Sequence, residues 1–321
     1  MKTLKLAAID IGTNTFRLII ADVACDSPGS AFTMREIHSE RSVTRLGEGM
    51  HETGVLSRDA MDRSMAVLKK YCHDICRYDV HKTWAVATSA LREAKNSAAF
   101  LEEVTQVTEL PIAIISGEEE ARLTARGMLH DMDIPESALM LDIGGGSTEL
   151  IFAYQGAPDY VHSLNTGVVH LAGKFMKNDP PRKEDLTAMD REITGHITSV
   201  REPFISRIRK DSVFIGTAGT VTALAAIAQD LECFDHGRIH RFPLALSRVK
   251  EIWDIISSVP SRERARLIPF ELSRLDIIVP GTRILLMLME SFGFNEITVS
   301  NNGLREGTLI ELYSREIRQE A

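Results

Sequence analysis

The stretch Asp10-Ile11-Gly12-Thr13-Asn14-Thr15-Phe16-Arg17-Leu18-Ile19 occurs a second time, as Asp142-Ile143-Gly144-Gly145-Gly146-Ser147-Thr148-Glu149-Leu150-Ile151. The two align without gaps. Asp, Ile, Gly, Leu and Ile coincide, and Thr15 faces Ser147. In each copy an apolar run ends at an acid, a glycine-containing turn follows, and a second apolar run returns. That pattern predicts strand, turn, strand. A repeat that opens each half of a chain predicts a duplicated α/β domain, with the two turns facing one cleft.

The segments around both copies agree with this reading. Strands are predicted at Lys5 to Ile11, Thr15 to Val23, Phe32 to Val43 and Thr83 to Thr88. A short buried strand is predicted at Pro111 to Ile115. Met61, Met65, Leu68, Cys72 and Ile75 form the apolar stripe of a helix over Ser57 to Tyr78. Ala90 to Thr108 reads as largely helical. Ser116-Gly117-Glu118-Glu119 is a capping box opening a helix to about His130. After Pro135 the order repeats: strands at Ala138 to Ile143, Ser147 to Tyr154, Pro158 to Leu164 and Val213 to Ile215. Helices follow near 167–177 and 183–210, from Val221, and through most of 247–292. A strand at Glu296 to Ser300 and a helix at Leu304 to Arg318 close the chain.

At about 150 residues per domain, 321 residues predict two domains. The hydrophobic fraction is 44 % and the charged fraction 26 %, which excludes disorder and fibrous repeats. The net charge of −8 argues against generic binding of nucleic acid or anionic membranes. The start MKTLKLAAIDIG reaches Asp10 too soon for a secretory leader. The apolar stretch Ile284 to Met289 is far shorter than the ~20 residues of a membrane span. Four cysteines, Cys25, Cys72, Cys76 and Cys233, are too few for a disulfide scaffold, so a reduced, cytoplasmic protein is expected. Cys72-His73-Asp74-Ile75-Cys76 suggests metal binding, but the rest of a ligand set is missing. The spacing of the two cysteines on an amphipathic helix reads instead as core packing.

The chemistry-bearing residues point to phosphate. Gly144, Gly145 and Gly146, with the hydroxyls of Ser147 and Thr148, let backbone N–H groups converge on an anion. Gly216-Thr217-Ala218-Gly219-Thr220 is a second such turn, between a strand and a helix. Thr13, Asn14 and Thr15 make a hydroxyl-rich third. Neither glycine turn is a Walker A loop, and the dinucleotide fingerprint is absent. Asp10 and Asp142 each end the first strand of a hairpin, and an acid beside an anion nest calls for a cation; Mg²⁺ fits. Glu149 is a further metal candidate, with a solvated strand face as the alternative. Glu120 follows the capping-box Glu119 and is free to act as a base toward water. Arg92 stands just after a strand, where guanidinium can clamp phosphate oxygens; a surface pair with Glu93 or another acid is the alternative. Arg17 and Arg45 are weaker candidates of the same kind. Arg262, Arg264 and Arg266 read as a solvated face.

In order, DIGTNTFRLI, TRLGEGM, TSALREA, ISGEEEARL, LDIGGGSTEL, IGTAGTVTALAA and GLREG resemble the exopolyphosphatase/guanosine pentaphosphate phosphohydrolase (Ppx/GppA) family over nearly the whole chain. The resemblance implies duplicated actin-like (ASKHA, ribonuclease-H-like) domains with mixed sheets flanking an interdomain cleft. The domains are expected at 1–124 plus 303–321, and at 125–302. It implies Mg²⁺-assisted hydrolysis of the terminal phosphate of inorganic polyphosphate, with the 5′ γ-phosphate of pppGpp as the alternative substrate. Glu120 matches the family's catalytic base and Arg92 an active-site arginine. Asp142 and Glu149 match acids linked to the metal, and Gly144 to Ser147 and Gly216 to Thr220 match phosphate loops. The resemblance also implies a homodimer. Longer members carry a further helical region resembling an HD domain. This sequence ends before it, so a long polyphosphate channel and high processivity are not expected. His170 stands where the family pattern has Arg, and Asn301 where an acid is common. A kinase of the same fold and a non-catalytic polyphosphate or alarmone sensor are the competing classes. The presence of Glu120, Asp142 and Glu149 argues against the sensor.

Overall fold

Strand β1 (Lys2–Ile11) returns antiparallel as β2 (Thr15–Cys25), and β2 pairs antiparallel with β3 (Phe32–Val43). Strands β4 (Lys82–Ala87) and β5 (Ile112–Ile114) then add in parallel, giving the order β3-β2-β1-β4-β5. The second half repeats the plan with β6 (Ser137–Ile143), β7 (Thr148–Tyr154), β8 (Ala157–Leu164), β9 (Val213–Thr217), β10 (Pro243–Ala245) and β11 (Glu296–Val299). Its order is β10-β11-β9-β6-β7-β8. From β8 to β11 the strands match β3 to β5 in order and direction, and β10 is an added antiparallel edge. The fold is therefore a duplicated α/β architecture with two mixed sheets.

This computed structural model describes residues 2–25, 32–132 and 136–320. The chain divides into two units, Met1–Asp131 with Asn302–Ala321, and Met132–Asn301. The division falls after the helix Gly117–His130 and not within it, because that helix is unbroken and its neighbours belong to the first unit.

Helices cover both faces of the first sheet. Ala7, Ile9 and Ile11 pack with Leu68 and Tyr71 of the helix Arg58–Arg77. The alternating residues Leu4, Leu6 and Ala8 pack with Leu309, Leu312 and Tyr313 of the closing helix Leu304–Glu320. A strand buried on both faces reads as a continuous apolar run, as β1 does. The second unit is built around one large cluster joining β6, β7 and β9 to helices Lys183–Ile205, Ala218–Ala228 and Ile278–Phe292.

Several expectations need correction. The span 90–108 is two helices, Ser89–Glu93 and Ser97–Thr108, broken by extended Ala94. Strand β5 is an edge strand, and Ala113 and Ile114 are exposed rather than buried. The helix expected from Val221 begins at Ala218. Strand β10 was not expected at all; three residues are too few for a periodic signal. Cys72 is half-buried and packs against the core of the first unit, whereas Cys76 is exposed, so core packing holds for one of the pair only. Arg264 is buried, bonded to Asp179 and to the Leu275 carbonyl, and is not part of a solvated face. No disulfide joins the four cysteines. Among the described residues no helix is long and apolar enough to cross a membrane.

Candidate functional site

In the first unit, three adjacent parallel strands deliver the candidate residues to one edge of the sheet. The 12–14 turn follows β1, Arg92 follows β4, and Glu120 follows β5. Carboxyl ends of neighbouring parallel strands are where open α/β sheets bind ligands.

The turn is tight. Gly12 N donates to the Thr15 carbonyl at 3.2 Å, and a Cβ on Gly12 would lie 2.9 Å from that oxygen. Thr13, Asn14 and Thr15 are all buried. Their segment is braced by the TRLGEG stretch: Gly47 N donates to the Thr13 carbonyl, and Thr44 N and Arg45 N to that of Asn14. The Thr13 hydroxyl is buried with no hydrogen-bond partner.

Glu120 sits in the first turn of the helix Gly117–His130, which is N-capped by Ser116; the Ser116 hydroxyl accepts from Glu119 N at 3.1 Å. Glu118 is exposed and Glu119 half-exposed, while Glu120 is 7 % exposed. A single Arg92 nitrogen, Nη1, donates both to the Ile115 carbonyl (3.0 Å) and to Glu120 Oε2 (3.2 Å). The neighbouring acid Glu93 accepts from Ser89 instead. Arg92 therefore connects the end of β4 to the helix that carries Glu120.

Asp10 and Arg17 are directly opposed across β1 and β2, with Arg17 Nη1 3.6 Å from Asp10 Oδ2. Burial pushes the Asp10 carboxyl above its ordinary range; Arg17 and Arg305 oppose that push and Glu306 adds to it. Glu306 is itself buried, accepting from Gly303 N at 2.8 Å and pairing with Arg305 at 3.1 Å. Arg305 and Glu306 belong to the GLREG stretch. No local pattern assigns them a role, because nearly three hundred positions separate them from Asp10.

In the second unit the backbone hydrogen bond of the turn is reproduced. Gly144 N donates to the Ser147 carbonyl at 3.0 Å, as Gly12 does to Thr15. Gly144, Gly145 and Gly146 are not in left-handed backbone. Gly167 is needed for close approach: a Cβ there would lie 2.4 Å from Gly145 and Gly146 backbone atoms, and one on Gly144 would lie 3.0 Å from the Ser147 carbonyl oxygen. Val168 N and Val169 N take the carbonyls of Gly144 and Gly145. Ser147 is buried, and the Thr148 hydroxyl donates to the Thr166 carbonyl at 2.6 Å.

The repeat position that holds Arg17 in the first unit holds Glu149 in the second. Asp142 is therefore opposed to Glu149 in register. Glu149 is fully buried and accepts from Ser163 Oγ at 2.7 Å, which removes the solvated-face alternative. Two carboxylates directly opposite repel. Their hard oxygen donors are those a Mg²⁺ ion takes, so these residues fit that cation.

Thr217 is opposed to Asp142 across β6 and β9, so the loop Gly216 to Thr220 leaves the same sheet edge as the Gly144 turn. Ala218 has φ +66°, a left-handed conformation in which a non-glycine residue is strained. The guanidinium of buried Arg274 packs on Gly219, where a Cβ would lie 1.5 Å from Nη2. Glu271 holds the Arg274 Nε at 2.5 Å. Arg274 carries no motif signal in the sequence; only the fold brings it to the loop. His170 pairs with Glu192 at 3.2 Å. Asn301 receives no acid's role here: its side chain donates to the His236 carbonyl at 2.6 Å.

Residues 22–316 match the Ppx/GppA phosphatase family. The bifunctional 3-dehydroquinate synthase/phosphatase of Fusobacterium nucleatum is 31 % identical over 95 % of this chain, and the chain spans 46 % of that protein's length. Exopolyphosphatase 2 of Mycobacterium tuberculosis is 28 % identical, with 97 % of this chain and 99 % of that protein covered. The crystal structure of the Aquifex aeolicus member of the family is similar with a TM-score of 0.81, at 31 % identity, covering 98 % of this chain and 99 % of that one.

Proposed function

The chain belongs to the Ppx/GppA phosphatase family and is a phosphoanhydride hydrolase, and from that premise we propose that it is an exopolyphosphatase. The observation that carries the chemistry is buried Glu120 at a capped helix start, held by Arg92. In this reading Glu120 accepts a proton from water as the water oxygen attacks the terminal phosphorus. The bridging P–O bond breaks, the shortened polyphosphate leaves with the bonding electron pair, and orthophosphate is released. Glu120 then returns its proton to solvent. Arg92 fixes the Glu120 carboxylate and offsets charge on the phosphoryl oxygens. In the second unit, backbone N–H groups of Gly144 to Ser147 and Gly216 to Thr220 are donors for phosphate oxygens; in the first unit, the hydroxyls of Thr13 and Thr15 and the Asn14 amide are. Asp142 and Glu149 would hold the divalent cation, with Asp10 the corresponding acid of the first unit; when bound, Mg²⁺ supplies charge neutralisation to the phosphate oxygens.

Inorganic polyphosphate is the proposed substrate because similarity to the mycobacterial exopolyphosphatase 2 runs the length of both chains. pppGpp is the second reading, since it presents the same terminal anhydride and the family description spans both names. A homodimer and a cytoplasmic location belong to the same proposal. The test is Mg²⁺-dependent phosphate release from long-chain polyphosphate, tripolyphosphate, pppGpp and ATP side by side, each with wild type and Glu120→Gln. Faster release from polyphosphate, abolished by the substitution, supports the proposal. Faster release from pppGpp selects the second reading. Binding without release from any substrate overturns both.

A further inference from the structure

The first unit contains a second group of metal-ligating side chains, on a different face from the residues above. His38 and Glu40 lie two residues apart on β3, so both point to the same side of the sheet. Asp74 projects toward them from the helix Arg58–Arg77. One ligand atom from each of the three lies within 4.8 Å of the others. Strand β3 is irregular here. Ile20 is opposed to His38 but Ala21 to Glu36, so Ile37 is the extra residue of a bulge. A bulge re-aims the side chains beside it.

The charge balance of this group is incomplete. Asp74 is 8 % exposed, and its Oδ2 is buried without a hydrogen-bond partner. It lies in the last turn of its helix, where the macrodipole disfavours a carboxylate. His38 Nε2 is likewise buried without a hydrogen-bond partner. The two atoms are 3.7 Å apart, too far for a hydrogen bond and a suitable span for two ligands of one ion. The His38 ring is fixed by stacking on Tyr78, with centroids 5.0 Å apart and planes at 21°. The Glu40 carboxylate is already organised, accepting from Lys70 Nζ at 2.7 Å and from Ser42 Oγ at 3.2 Å.

We propose that His38, Glu40 and Asp74 bind a transition-metal dication of the Zn²⁺ class. One imidazole nitrogen with two carboxylates selects such an ion over Mg²⁺, which prefers oxygen donors alone. The site ties the edge strand β3 to the helix Arg58–Arg77, and its role is structural. It is independent of Glu120, Asp142 and Glu149.

The test uses the full chain stripped with a chelator and then titrated with Co²⁺ and Zn²⁺. Co²⁺ is expected to give ligand-field absorption of a nitrogen- and oxygen-coordinated ion and to shift the ring resonances of His38. Zn²⁺ displaces it and raises the melting temperature. His38→Gln and Asp74→Asn each weaken Zn²⁺ binding by roughly 100-fold or more, beyond the usual effect of losing a ligand's supporting group. Glu120→Gln leaves the binding intact, and His38→Gln leaves phosphate release intact. If Asp74→Asn does not fold, His38→Gln decides, because His38 is half-exposed on the edge strand β3 and lies outside the buried core. The proposal is overturned by Zn²⁺ binding that His38→Gln does not change. It is equally overturned by an absence of Zn²⁺ binding to the chelator-stripped chain.

Discussion

Arg92 Nη1 bonds the Ile115 carbonyl and Glu120 Oε2 at once, at 3.0 and 3.2 Å. One guanidinium nitrogen thus joins the residue just after β5 to an acid in the first turn of the next helix. The charge alone does not explain this; the shared, directional donor does. Arg92→Lys keeps the charge but loses the planar guanidinium that aims this donor. We expect kcat to fall roughly 10²-fold, the scale of losing one transition-state donor, while the melting temperature stays near wild type. Steady-state kinetics with polyphosphate and a thermal melt check both parts.

Glu120→Gln keeps the shape and hydrogen-bonding capacity of the side chain and removes its basicity. A fall of roughly 10²–10⁴ in kcat is expected, with KM nearly unchanged. Turnover that survives the substitution would take Glu120 out of the mechanism.

Gly219→Ala places a methyl group where the Arg274 guanidinium now sits, 1.5 Å from Nη2. A side-chain end can move aside where backbone cannot, so the fold should tolerate the change. Arg274 would then leave the loop. KM is expected to rise more than kcat falls, and inhibition by orthophosphate to weaken in step.

Gly307→Ala tests what holds the Glu120 helix. A Cβ on Gly307 would lie 1.7 Å from the Leu123 carbonyl, and one on Gly127 2.0 Å from that of Gly303. The closing helix and the Glu120 helix therefore meet backbone to backbone here, with Arg126 bonding Glu311 and Ser314 beside the contact. Overpacking here should cost ~1–3 kcal/mol or more, lowering the melting temperature and kcat together. Gly195, exposed on the helix Lys183–Ile205 with nothing near its Cβ position, is the contrast: Gly195→Ala should stabilise by about 0.4–1 kcal/mol.

Asp10 sets a pH dependence of stability. Its folded carboxyl titrates above the ordinary value of 3.8, chiefly through burial, so the folded state holds this proton to higher pH than the unfolded chain does. Its contribution is full below that ordinary value and is lost as pH rises through the folded one. Asp10→Asn should flatten that decline and raise stability at neutral pH relative to wild type. Melting temperatures across the acidic to neutral range would show it, and a neutral-pH loss of stability would contradict it.

The duplicated hairpin, most strands in their order along the chain and the candidate acids were legible in the sequence because they rest on local rules. Asp10 and Asp142 each close an apolar run, Ser116 has the spacing of a cap, and glycines mark both turns. Those rules act over a few residues of chain, where sequence distance and spatial distance agree. What they miss are contacts whose partners lie far along the chain. Arg274 has no motif and reaches Gly219 only through folding. The GLREG residues Arg305 and Glu306 come to Asp10 from the far end of the chain. Asp74 looked like one position in an amphipathic helix, and its neighbours His38 and Glu40 are on a strand some thirty-five residues earlier.

The same division holds for the roles of the acids. The sequence by itself determined that Asp142 and Glu149 occupy equivalent places to Asp10 and Arg17 in a repeated hairpin. Only the tertiary structure decided that Glu149 is wholly buried opposite Asp142, and that of three consecutive glutamates Glu120 alone is buried against Arg92. The reason is that repeat position follows from local order along the chain. Burial and electrostatic partnership follow from which surfaces the packed sheets and helices bring together.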